Sequence, residues 1–190
     1  RPATPATPTP QSDKALWGQK LDALQQTDLI TFFGLAPTGT ETDSRGGKVI
    51  KYQPKAGNFR SLVLVKFTVD SAERIQGVEL TLARSFVDHE TNKHFARDLA
   101  KRLLRTVLAA DDLLVAGDLI HEIEFGEAKN RAVVQPQTIP PLPAQPTRGY
   151  EVFLGQSQSI DLTLVRSFLT LRNVTDLGQN ALVIAIGPNA

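Results

Sequence analysis

The chain has 190 residues, of which 41% are apolar and 22% charged, and a formal net charge of +1. That length and balance fit one globular domain with a sizeable core, and they exclude a polybasic or polyacidic surface as the dominant theme. Cysteine is absent, which rules out a disulfide framework and a thiolate zinc site, and three histidines leave little material for an imidazole-built metal site.

Methionine is also absent, position 1 included, so a processed chain is expected. The opening RPATPATPTPQ has no apolar periodicity and the composition of an extended, semi-rigid spacer. Residues 1–11 are therefore read as a linker, and 12–190 as a single domain. The linker is expected to tie that domain to an N-terminal anchor or signal that has been removed, which places it outside the cytoplasm: periplasmic, envelope-associated or secreted. No apolar run approaches the roughly 20 residues of a membrane helix.

Ser12 or Asp13 is a candidate cap for a first helix, with Leu16, Trp17, Leu21 and Leu24 inward. Trp17 reads as a core anchor with its indole N–H bonded at the rim. Thr27 and Asp28 offer a second cap before LITFF, and Gly34 ends that turn. PTGTETDSRGGK reads as a surface loop. Its Gly39, Gly47 and Lys48 do not make a phosphate loop, because Val49 follows the lysine and a strand pattern follows that.

Lys48–Pro54, Arg60–Asp70 and Ile75–Val87 then alternate like strands joined by short turns, and predict an antiparallel meander. A long amphipathic helix is predicted over His89–Asp111. Its Phe95, Ala96, Leu99, Ala100, Leu103, Leu104, Val107 and Leu108 form one apolar stripe, wide enough to cover a sheet. Lys93, Arg97, Lys101 and Arg105 lie on the other side and read as a solvated face rather than a nucleic-acid contact, since no basic–aromatic motif accompanies them. DDLLVAGDLIHEIEFG reads as helix with a short extended end. Residues 127–148 hold Pro136, Pro140, Pro141, Pro143 and Pro146 and read as a surface strap. Within it, Pro140, Pro141, Leu142 and Pro143 are candidate partner-binding residues, because a proline run of this kind suits an aromatic groove. YEVFLG, IDLTLVRSFLTLRNV and ALVIAIG read as the closing strands.

Two stretches match at six of ten positions: VELTLARSFV from Val78 and IDLTLVRSFL from Ile160. Either a decayed duplication or a coincidence of similar strand environments accounts for them. In a strand, Arg84 and Arg166 would each lie on the apolar side between large hydrophobes. A buried guanidinium keeps its charge and needs acceptors, so the pair is a candidate anion site, with pairing to carboxylates of this chain as the alternative.

Catalytic constellations are scarce. Asp88, His89, Glu90 and His94 gather at a strand-to-helix junction, but the histidines stand five apart and would not face one metal from a helix. Capping accounts for the cluster. His121-Glu122-Ile123-Glu124 lacks a partner histidine at ligand spacing, and no cofactor motif appears. The expected fold is α+β, a largely antiparallel sheet of about five to six strands with amphipathic helices on one face. The expected function is a non-catalytic module that binds another protein or an envelope polymer, needs no cofactor or metal and does not bind nucleic acid. A small-ligand or anion-binding domain using Arg84 and Arg166 is the alternative, and an enzyme of unrecognised class the third reading.

Overall fold

The computed structural model describes residues 16–55, 57–126, 146–176 and 178–189. It is an α+β fold built on one antiparallel sheet of seven strands, more than the five to six expected. In chain order the strands are β1 (Leu35–Thr42), β2 (Lys48–Pro54), β3 (Val63–Val69), β4 (Ile75–Ala83), β5 (Ser159–Thr163), β6 (Ser167–Asp176) and β7 (Gln179–Pro188). Their order across the sheet is β1-β2-β3-β4-β7-β6-β5. The last strand therefore inserts between β4 and β6, and the first four make the predicted meander plus one more strand.

Alternation explains which face is buried. Val63, Val65, Phe67 and Val69 of β3 point into the core, while Leu64, Lys66 and Thr68 between them are more exposed. Val78, Leu80 and Leu82 of β4 repeat the pattern. The opposite face is open and charged: Glu79 pairs with Lys66 at 3.9 Å and with Arg172 at 3.6 Å, and Lys51 pairs with Glu41. β7 is the exception, with Leu182, Val183 and Ile184 buried in succession, as its unbroken apolar run implies.

Helices cover the other face. They are α1 (Asp28–Phe33), α2 (Arg84–Val87), α3 (Lys93–Val107), α4 (Ala110–Val115), α5 (Gly117–Phe125) and α6 (Arg148–Phe153). α3 is the central one and packs on α1, α2, α5 and β4. Seven residues of its predicted stripe, from Ala96 to Leu108, are buried, and Phe95 alone of that stripe stays largely exposed. The helix is shorter than predicted because His89 to Asn92 form a separate turn and Leu108 is extended.

Several expectations are corrected. The first helix is a single 3-10 turn, Leu21–Leu24, held by Lys20 bridging to Arg74; Ser12 and Asp13 lie outside the described residues. The segment read as a loop after Gly34 forms β1. It is an edge strand with one buried residue, Leu35, so no alternation marks it, and its bulge between Pro37 and Gly39 absorbs the proline. The loop proper shrinks to Asp43–Gly47, where Asp43 Oδ1 accepts the N–H groups of Arg45 and Gly47, both at 2.8 Å. Helix continues to Phe125 with no extended end and stops at Gly126, in the left-handed region at φ 71°.

YEVFLG is helix α6, not strand. Thr147 Oγ1 caps it by accepting Tyr150 N–H at 3.2 Å, which overrides an alternation that Tyr150, Val152 and Leu154 carry by chance. Pro146 and Thr147, placed in the strap by the sequence, thus lead straight into this helix.

Candidate functional site

The matched stretches do not share a conformation. After β4 the chain turns into α2 at Arg84, whereas after β5 it bends at Val165 and Arg166 and re-enters the sheet as β6. Nor are the arginines close. Ala83 pairs with Ala181 and Ser167 with Pro188, at opposite ends of β7. Seven residues of strand separate those registers, about 23 Å at roughly 3.3 Å per residue. Their depths differ too, the Arg84 side chain being 12% exposed and that of Arg166 51%.

Arg166 belongs to a clip at one end of the sheet. Its backbone N–H donates to Asp112 Oδ1 at 2.7 Å and its Nε to Asp111 Oδ2 at 2.8 Å. Ser167 Oγ donates to Asp112 Oδ2 at 2.8 Å and accepts the Trp17 indole N–H at 2.9 Å. Asp112 is fully buried and both of its oxygens are thereby engaged. The Arg166 hydrogen bond, more than its charge, holds the Asp111 carboxyl below the usual range. Trp17 is thus a rim anchor, and the clip ties the N-terminal segment, α4 and the β5–β6 bend together.

Arg84 stands at the other end. Nη1 donates to Phe153 O at 2.8 Å and to Asn173 Oδ1 at 3.4 Å, while Nε and Nη2 hold Asp88. Asp88 is consequently this arginine's partner rather than a helix cap, which corrects the capping expectation; Asn92 occupies the N-cap of α3. Glu90 pairs instead with Lys93 at 3.0 Å, and His89 Nδ1 accepts Thr91 N–H at 3.1 Å. Gly155, at φ 80°, sits so near Arg84 that a Cβ there would lie 3.1 Å from Nη2. Asn173 Nδ2 donates to Val152 O and Ser157 O, so its amide is committed to the fold.

Around Arg84 the surface is grooved. One cleft of about 330 Å³ is lined by Asp88, Gly155, Gln158, Asn173 and Thr175. A second, of about 430 Å³, is lined by Ser61, Leu62, Ser85 and Gln179. Arg84 and Asn180 line both, so the two clefts of this groove adjoin at these side chains.

Beside that groove lies an apolar cleft of about 260 Å³. Five of the chain's nine phenylalanines line it: Phe32, Phe33, Phe59, Phe86 and Phe95. Phe59 lies 5.3 Å from Phe86 and 5.7 Å from Phe95, both tilted, and Phe32 meets Phe33 edge-on at 4.8 Å. The Arg102 guanidinium stands 3.9 Å from the Phe32 ring and pairs with Asp28 at 3.1 Å. Phe32 remains 54% exposed and Phe95 43%. α2 joins groove to cleft, since Arg84 and Ser85 face the first and Phe86 the second. Residues 59–62 do the same, with Phe59 in the cleft and Ser61 and Leu62 in the groove.

The sequence reading found Arg84 but missed this neighbourhood. Five phenylalanines spread from position 32 to 95 carry no motif, and tertiary packing alone assembles them. It also missed Glu122, a fully buried carboxylate that accepts Thr147 N–H at 3.1 Å and Thr147 Oγ1–H at 2.8 Å, joining α5 to α6. Pro140, Pro141, Leu142 and Pro143 lie outside the described residues. Among the described residues no three His, Asp or Glu side chains gather to hold a metal ion, and no helix is long and apolar enough to cross a membrane. No family model matches the chain, and neither a curated protein nor a solved structure matches it.

Proposed function

We propose that this domain is a non-catalytic binding module working outside the cytoplasm, and that it engages another protein or an envelope polymer at the end of the sheet where α2 begins. The observation that carries the reading is the phenylalanine cleft. Two of its rings stay about half exposed beside buried ones, and a clustered, partly open aromatic surface marks contact sites more often than scattered exposed side chains do. Aromatic anchors with a polar groove beside them suit an extended ligand that takes contacts on both. The proline linker at 1–11 supports a tethered module outside the cytoplasm. Binding at Arg84 or Arg166 by an anion is the competing reading, and it would have to displace Asp88 or Asp111 from each guanidinium.

The double change Phe32→Ser and Phe95→Ser tests the proposal. Both rings are too exposed to hold the core, so the thermal midpoint is expected to move little. Co-sedimentation with isolated envelope from the source cells is expected for the wild type and lost in the variant. Equal sedimentation of the two would contradict the proposal, and so would a wild type that stays in the supernatant.

A further inference from the structure

We propose that the outer edge of β5 is a docking site for an extended segment of another protein. That segment adds to the sheet as a further strand, with a lysine or arginine opposite Asp161 and apolar residues on either side of it. The site lies at the far edge of the sheet from the phenylalanine cleft, which borders β2 and β3, and is independent of it.

The ladder fixes which backbone groups are spare. Gln158 O accepts the Asn173 N–H at 2.8 Å, and Leu164 N–H donates to Ser167 O at 2.8 Å, so the even-numbered residues of β5 bond to β6. Ser159, Asp161 and Thr163 therefore turn their N–H and C=O groups outward, and none of these groups has a partner among the described residues. A row of spare donors and acceptors at strand spacing is complementary to another strand. The other edge of the sheet is guarded. In β1, Pro37 lacks a donor and the bulge between Pro37 and Gly39 breaks the row. β5 has no proline, no glycine and no bulge.

Side chains define the partner. Ile160 and Leu162 point to the core face yet are only partly buried, whereas Leu171 and Leu169 opposite them in β6 are fully buried. Apolar residues on an added strand complete that cover. On the open face Glu41 and Glu79 are paired with cations, but Asp161 has only Thr170 Oγ1–H, at 3.0 Å, and no cation among the described residues. A cation across the new strand pair matches it. The same carboxylate disfavours a second copy of this chain. Antiparallel self-pairing centred on Asp161 sets two carboxylates face to face, and any shifted register pairs fewer residues of so short a strand. The added strand ends at the bend, short of Val165, where the chain turns into β6.

The probe is a blocked heptapeptide, Thr-Thr-Val-Lys-Val-Thr-Thr, titrated into the ¹⁵N-labelled full chain, with the same peptide carrying glutamate in place of lysine as its comparison. The expected result is saturable movement of the backbone amides at 159, 161 and 163, with the glutamate peptide binding more weakly on the order of fivefold. Asp161→Lys is expected to reverse that order at an unchanged melting temperature. Asp161 is exposed, so the variant should fold, and the two peptides on the wild type decide the matter even if it does not. No movement at millimolar peptide, equal affinity for the two peptides, or movement confined to β1 would overturn the proposal. Shifts at 159–163 that grow with protein concentration before any peptide is added would overturn it in favour of a second copy. Envelope co-sedimentation of the phenylalanine variants tests the cleft separately.

Discussion

Leu99→Ala and Leu103→Ala are each expected to destabilise the fold by about 2–5 kcal/mol. Both side chains are fully buried at the centre of α3, which contacts α1, α2, α5 and β4, so a cavity there borders elements that cannot all close on it at once. Lys101→Ala is the control. Its ammonium bridges Asp98 at 3.6 Å and Glu124 at 3.2 Å on the outer side of the same helix. A pair of this kind contributes below about 1 kcal/mol. Denaturant melts of the three variants measure the contrast. Equal small losses at all three would mean that the stripe from Ala96 to Leu108 does not carry the core.

Arg84→Leu is expected to cost about 1.5–3 kcal/mol in the absence of any ligand. The change removes the donors to Phe153 O and Asn173 Oδ1 at a side chain that is nine-tenths covered, and it leaves Asp88 without its partner. Phosphate or sulfate is expected to leave the wild-type melting temperature unchanged apart from a general salt effect, because Asp88 already satisfies the guanidinium. An anion site predicts the reverse: a saturable rise in the wild type, abolished by Arg84→Leu with little loss of intrinsic stability. Thermal melts of both proteins with and without anion separate the outcomes.

How much of this was legible depends on whether the information was local. α3 was readable because its stripe repeats at helical spacing over fifteen residues, and no neighbour is needed to see it. The β2–β4 meander was readable for the same reason at period two. β1 was not: on the sheet edge it needs one buried residue, Leu35, and its other seven carry no pattern. The matched stretches show the limit most clearly. Four residues beyond Arg84 stands Asp88, whose ion pair favours a helical turn, whereas four beyond Arg166 stands Thr170. There, Asp112, fifty-four residues upstream of Arg166, grips Arg166 N–H and Ser167 Oγ and sets the bend instead. That local difference was on the page of the sequence, but the distant carboxylate was not.

The candidate site divides along the same line. Arg84 stood out because an arginine among strand hydrophobes is unusual. The cleft depends on rings from α1, the 59–62 segment, α2 and α3, and no window of sequence holds more than two of them.

Site-specific photo-crosslinking in the source cells tests the binding surface most directly. A photoreactive phenylalanine analogue replaces Phe32 or Phe95 in the protein, and Leu114 or Val165, more exposed than either ring and away from the cleft, in the controls. The account predicts a discrete crosslinked species from positions 32 and 95 and none from 114 or 165. Equal crosslinking at all four positions, or crosslinks from 114 and 165 alone, would contradict it.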